Sequence, residues 1–221
     1  MSGVARPTRA LREGPLRLAL PRGALFAPTL DRLDRIGVET VELRGDSRSL
    51  LFEAGGLVLV TMRPSDVPTY VEAGAADLGV TGKDVLLEQS DRAFYELLDL
   101  GFGACRMVLA APAGDEHVAE HERRLGAVRV ATKYPRVAER FFEETGRRAE
   151  VIEVKGSVEL APISGLADAI VDLVDTGRTL RENGLEVREV IAPSTARLIA
   201  NRVAHKLRAR EIDDLVARLG A

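Results

Sequence analysis

Apolar residues along the chain come in short runs bounded by glycine, proline and aspartate, and these runs alternate with stretches of helical spacing. Residues 16–21, LRLALP, predict a strand that stops at proline. A tight turn at Arg22-Gly23 follows, then a helix with Phe26, Leu30, Leu33 and Ile36 on one side that ends at Gly37. Residues 39–43 predict a short strand and residues 57–61, LVLVT, a fully buried one. Asp66 is the expected N-cap of a helix that carries Val67, Tyr70 and Val71 on one face and closes at Gly74. Residues 78–80 predict a very short strand leading into a helix capped by Asp84.

In the second half, the glycines at 101 and 103 predict a passage from one sheet to another before a strand at 106–110. Strands at 128–131, 151–155, 169–174 and 187–191 are interleaved with helices at 135–145, 160–167 and around Leu180. Residues 194–219 read as helical, with Ile199, Val203 and Leu207, then Ile212, Leu215, Val216 and Leu219, as apolar stripes. This grammar predicts an α/β fold of two lobes, with mixed, mostly parallel sheets and a cleft between the lobes. The expected partition is a first lobe from 15–104 together with 185–221, a second lobe from 105–184, and a flexible tail at 1–14.

Composition narrows the function. The 221 residues include 31 basic and 34 acidic ones, a net charge of -3 that argues against nucleic acid as partner and leaves room for a local cationic pocket. The lone cysteine, Cys105, excludes an internal disulfide framework or a multi-thiolate zinc site and reads as a small buried hydrophobe. No apolar run has the length of a signal peptide's core or a membrane span, so a cytoplasmic protein with no membrane partner is expected.

Asp172 interrupts the apolar strand 169–174, and a buried carboxylate needs solvent, a cation or a ligand hydroxyl. The turn after it, Asp175-Thr176-Gly177-Arg178-Thr179, offers two hydroxyls and the N–H groups of a helix start, a set that can hold a phosphate without lysine. The plainer alternative is a turn that merely caps a helix. Glu159 follows Gly156-Ser157 at another strand exit; if the two strands run parallel, it and Asp172 line one edge, suited to ribose hydroxyls or to magnesium through water. Its plainer role is to complement the dipole of the helix that follows.

In the other half, Arg22, Arg63 and Lys83 each follow a strand exit, placing three cations along the carboxyl edge of one sheet, where they suit a polyphosphate. Arg48 is a weaker member, because its segment lacks a clear element. His117-Val118-Ala119-Glu120-His121 satisfies the H-x-x-E-H zinc pattern, but its charged flanks make it an exposed polar stretch, and no protein-bound metal is expected. His205 reads as a surface or packing residue. Neither a Walker loop nor a G-x-G-x-x-G element is present.

The blocks LALPRG, DVPTYVEAGAADLGVTGKDVLLE, LGFGACRMVLA, VRVATKYPRVAERFF and GSVELAPISGLADAIVDLVDTGRTLRENGL, in this order, resemble the ATP phosphoribosyltransferase family over residues 16–191. The resemblance implies a periplasmic-binding-protein-like fold of the second type. It also implies transfer of the phosphoribosyl group of phosphoribosyl pyrophosphate to N1 of ATP, with magnesium present and pyrophosphate released, as the first step of histidine biosynthesis. On that resemblance Asp175, Thr176, Gly177, Arg178 and Thr179 hold the 5′-phosphate, and Glu159 and Asp172 lie near the ribose hydroxyls. Arg22, Arg63 and Lys83 match cationic positions on the opposing lobe, with Arg48 near the nucleotide or pyrophosphate. Where the family often has LPKGRL, this chain has Ala24 in place of the second cation. The length implies the short form, a catalytic chain that is a homodimer alone and joins a regulatory subunit resembling the histidyl-tRNA synthetase core in a hetero-octamer. The alternative function is a two-lobed solute- or anion-binding module without turnover.

Overall fold

The structure, a computed structural model, describes residues 14–45, 49–114 and 126–221. The expected tail therefore lies outside the described residues except for Gly14, as do Arg48 and the H-x-x-E-H stretch. The chain divides into two compact units, residues 1–103 with 195–221, and residues 104–194.

The first unit is built on β1 (Leu16–Pro21), α1 (Phe26–Arg35), α2 (Val41–Arg44), β2 (Leu51–Ala54), β3 (Leu57–Met62), α3 (Val67–Glu72), β4 (Leu78–Gly82), α4 (Lys83–Glu88) and β5 (Phe94–Asp99). Its sheet has the order β2-β3-β1-β4-β11-β5, where β11 is Ala196–Asn201 from the far end of the chain. Strands β1, β3 and β4 run parallel at its heart, while β11 enters antiparallel between β4 and β5. Alternation sorts the side chains to two faces. Leu18, Leu20, Leu59, Leu78 and Leu198 pack with Leu30 and Leu33 of α1 on one side, and Ala19 and Ile199 pack with Val67 and Val71 of α3 on the other.

The second unit comprises β6 (Cys105–Pro112), β7 (Val128–Thr132), α5 (Pro135–Glu144), β8 (Ala149–Glu153), α6 (Leu160–Ile163), β9 (Ala169–Val174), α7 (Arg178–Glu182) and β10 (Leu185–Ser194). The sheet order is β10-β6-β9-β7-β8, with β8, β7 and β9 mutually parallel and β6 antiparallel to β9. Val108, Ala110, Ala131, Ile170 and Val174 form one buried face with Val158, Ala161 and Leu180. Two α/β units with mixed sheets whose central strands are parallel are the fold class the sequence predicts.

Several expectations need correction. Residues 39–43 do not form a strand: Val41–Arg44 is a helical turn, and its apolar Val41 is exposed. The strand beside β3 is instead β2, joined to it by Gly55-Gly56, both at positive φ as a two-residue hairpin turn requires. Asp66 makes no capping hydrogen bond, and the N-cap of α4 is Gly82, with Asp84 buried inside the first turn.

The largest correction is at 194–219, where a strand precedes the helices α8 (Arg202–Leu207) and α9 (Ala209–Gly220). Asn201 makes the switch. Its Oδ1 accepts from the N–H groups of Val203 (2.9 Å) and Ala204 (2.8 Å), capping α8, while its Nδ2 donates to the carbonyl of Val71 at 2.8 Å. Ile199 is thus a sheet residue, Val203 and Leu207 of the expected stripe are exposed, and Ile212, Leu215 and Leu219 are buried within their own unit. The expected boundary at 184/185 also moves. Residues 185–194 belong to the second unit, because β10 pairs with β6 along its length.

Candidate active site

In the second unit the parallel strands β8, β7 and β9 present their carboxyl ends on one edge, the place where such sheets collect ligands. The chain leaving β8 reaches Glu159, the N-cap residue of α6, and the chain leaving β9 forms the turn 175–179. Glu159, Asp172 and the turn residues Asp175, Thr176, Gly177, Arg178 and Thr179 line one cavity of about 140 Å³. The strands before Glu159 and the turn do run parallel, and Glu159, Asp172 and the turn residues share one cavity.

Asp172 is half-buried, and its Oδ1 accepts from the N–H of Leu173 at 2.9 Å. Gly177 has φ +73°, the left-handed region, and is the N-cap of α7. A side chain there would be strained by the backbone itself, and its Cβ would stand 3.2 Å from the Arg181 guanidinium. The N–H of Arg178 lies 3.4 Å from the Thr176 hydroxyl, while the Arg178 side chain turns away to Glu182 at 2.7 Å. The turn thus offers hydroxyls and N–H groups, and its named cation is paired along its own helix.

In the first unit β1, β3 and β4 run parallel, so their exits also share one edge, and Arg22, Arg63 and Lys83 follow them directly. Their surroundings differ. Arg22 donates through Nε and Nη2 to the Thr61 hydroxyl at 3.2 and 3.0 Å, and both residues line a cavity of about 380 Å³ with Phe26, Leu30, Arg44 and Phe52. Lys83 is held by Glu96 at 2.7 Å. Glu96 in turn meets Arg197 at 3.3 Å, and Arg197 pairs with Asp99 at 2.9 Å. The Asp99 carboxyl is held below its ordinary range by the Thr195 hydroxyl and the N–H of Gly101. Arg63, exposed at the start of a 3₁₀ turn, makes no side-chain hydrogen bond or ion pair with a described residue. Ala24 sits exposed in the turn after β1.

Sequence reasoning missed Thr61 and Glu96, the partners of two named cations, and Arg181 and Asn183, which hold the turn from behind. Arg181 donates to the carbonyl of Thr176 at 3.1 Å, and Nδ2 of Asn183 to that of Thr179 at 2.8 Å. The helical spacing from the turn to positions 181 and 183 was the available signal. Among the described residues no group of three or more histidine, cysteine, aspartate or glutamate side chains gathers as a metal cage, and no helix is long and apolar enough to cross a membrane.

The ATP phosphoribosyltransferase family model matches residues 63–221, which takes in Arg63, Lys83, Glu159, Asp172 and the turn. An ATP phosphoribosyltransferase of Rubrobacter xylanophilus is 56% identical over 208 residues, 93% of this chain and 95% of that protein. The chain belongs to the ATP phosphoribosyltransferase family. An ATP phosphoribosyl transferase (HisG:HisZ) complex from Thermotoga maritima superposes with a TM-score of 0.77 at 37% identity, covering 92% of this chain and 96% of that one. Tv2483, solved bound to L-arginine, shares the fold alone, with a TM-score of 0.58 at 13% identity over 92% of this chain and 81% of that one. As a member of the ATP phosphoribosyltransferase family the chain is a glycosyltransferase acting in the first step of histidine biosynthesis.

Proposed function

We propose that the turn 175–179 binds the 5′-phosphate of phosphoribosyl pyrophosphate and that Glu159 and Asp172 serve its ribose. The shared cavity carries this reading, because it puts two carboxylates beside a phosphate-sized cradle of hydroxyls and N–H groups on one sheet edge. Arg22, Arg63 and Lys83 take the pyrophosphate. The cavity beside Arg22, lined by Phe26, Leu30, Leu43 and Phe52 as well as Arg22, suits a nucleotide. Magnesium enters as part of the substrates, on their phosphate oxygens, and the carboxylates meet it at most through water.

The displacement needs no covalent enzyme intermediate. The lone pair of adenine N1 forms the new bond to C1 of the ribose, and the bond from C1 to the pyrophosphate oxygen breaks with its electron pair leaving on pyrophosphate. The chain's tasks are alignment and charge. Asp172 and Glu159 stabilise the positive character that grows at C1 and the ring oxygen, and the strand-exit cations stabilise the leaving group.

We also infer a regulatory partner, supported by the likeness to a structure solved as a HisG:HisZ complex. In this reading the partner resembles the histidyl-tRNA synthetase core, the catalytic chain is a dimer on its own, and the mixed assembly is a hetero-octamer. Purified chain with that subunit, ATP, phosphoribosyl pyrophosphate and magnesium should form phosphoribosyl-ATP. A folded complex that makes no product while binding another small solute tightly would return the chain to the binding-module alternative.

A further inference from the structure

We infer that Arg181 is a positioning residue that sets the binding conformation of the turn 175–179, an inference that rests on the turn being the 5′-phosphate site. Arg181 holds two successive carbonyls of the turn. Its guanidinium Nη1 donates to the carbonyl of Thr176 at 3.1 Å, and its own backbone N–H donates to the carbonyl of Gly177 at 3.2 Å. A trans peptide unit is planar, with its C=O and N–H pointing in opposite directions. Fixing the oxygen of Thr176 on Arg181 therefore turns the N–H of Gly177 away from that side chain, and fixing the oxygen of Gly177 does the same for the N–H of Arg178.

At the other end of the turn, the carbonyl of Thr179 is held by the N–H and Nδ2 of Asn183 at 3.2 and 2.8 Å. The carbonyls at both ends are thus occupied from the helix side, leaving the intervening N–H groups, of which only that of Arg178 rests on the Thr176 hydroxyl at a long 3.4 Å, as the face an anion can use. Without the guanidinium, the peptide between Thr176 and Gly177 could rotate, because Gly177 tolerates both hands of backbone. That rotation would aim a carbonyl oxygen at the phosphate, turning an attractive dipole into a repulsive one. Arg178, also exposed and one helical turn earlier, spends its charge on Glu182 and anchors no carbonyl among the described residues.

Calorimetry on the purified chain with magnesium, using phosphoribosyl pyrophosphate and inorganic pyrophosphate as separate probes, tests this assignment. Arg181→Met should weaken phosphoribosyl pyrophosphate on the order of tenfold, since a charge-assisted hydrogen bond to the turn is lost. It should leave pyrophosphate within about twofold and Tm unchanged, because the side chain is exposed. Arg181→Lys, which keeps a donor, should recover most of the loss; Arg181→Gln replaces the methionine variant if that one folds poorly. Equal weakening of both probes would make Arg181 a general charge and overturn the assignment, as would loss of affinity with a matching loss of Tm, or no recovery in the lysine variant. Gly177→Val separates the two levels. If it destroys binding while Arg181→Met changes nothing, the positioning role alone falls; if neither variant matters, the 5′-phosphate site falls with it.

Discussion

The carboxyl edge of the second unit's sheet and that of the first offer anions different material. After β9 the turn 175–179 presents N–H groups and hydroxyls shaped by one left-handed glycine, with the Arg178 side chain drawn off to Glu182. After β1, β3 and β4 the first unit presents three long cationic side chains, one braced by Thr61, one held by Glu96 and one, Arg63, with no partner among the described residues. A site made of backbone depends on conformation and changes little with salt. A site made of side-chain charge tolerates local movement and weakens as ions screen it. On the proposed assignment, the first kind of site suits a compact phosphate that must be held in register, and the second a leaving pyrophosphate whose charge grows as the bond breaks.

The strongest test of the division concerns Asp172, which sits beside the turn but is assigned to the chemistry. Asp172→Asn should lower turnover on the order of 10²-fold or more with a smaller change in substrate affinity, because the interaction strengthens in the transition state. Single-turnover rate and Tm on one preparation decide it: near-normal chemistry in a destabilised protein would remove Asp172 from the reaction. Gly177→Val comes next. Its β-branched side chain opposes a positive φ and crowds Arg181, so affinity for phosphoribosyl pyrophosphate should fall by more than about tenfold at any salt concentration, with Thr179→Ala milder.

Arg22→Met sharpens the comparison from the other side. Removing one exposed charge should weaken pyrophosphate binding by about tenfold at low ionic strength, and the variant and parent should converge at high salt. A salt-independent loss would show that Arg22 acts through its brace on Thr61 and not through charge. The smallest effect is expected at Asp99, next to the Lys83–Glu96 pair. Its folded carboxyl titrates below the unfolded value, so it contributes stability above the unfolded range that disappears as pH falls through the lowered folded one. Because the group is largely exposed, Asp99→Asn should lower Tm by only about 1–2 °C near pH 7, with the difference closing in acid.

Features encoded within one short stretch are legible in the sequence alone. The strand 169–174 ending in an acid, a small residue and two hydroxyls, the strand exits followed by Arg22, Arg63 and Lys83, and the glycines that pass the chain from one sheet to the next are local chemistry, and they stand where they were read. Features that depend on a distant partner come only with the folded chain. ARLIAN is too short and too apolar for periodicity to separate strand from helix. It is a strand because β4 and β5 offer unsatisfied edges on either side of it, and Asn201 ends it by bonding to Val71, 130 residues away. Residues 185–194 join the second unit for the same reason, through the pairing with β6, the packing of Leu185 in that unit's core and the Arg147–Glu189 ion pair at 2.6 Å.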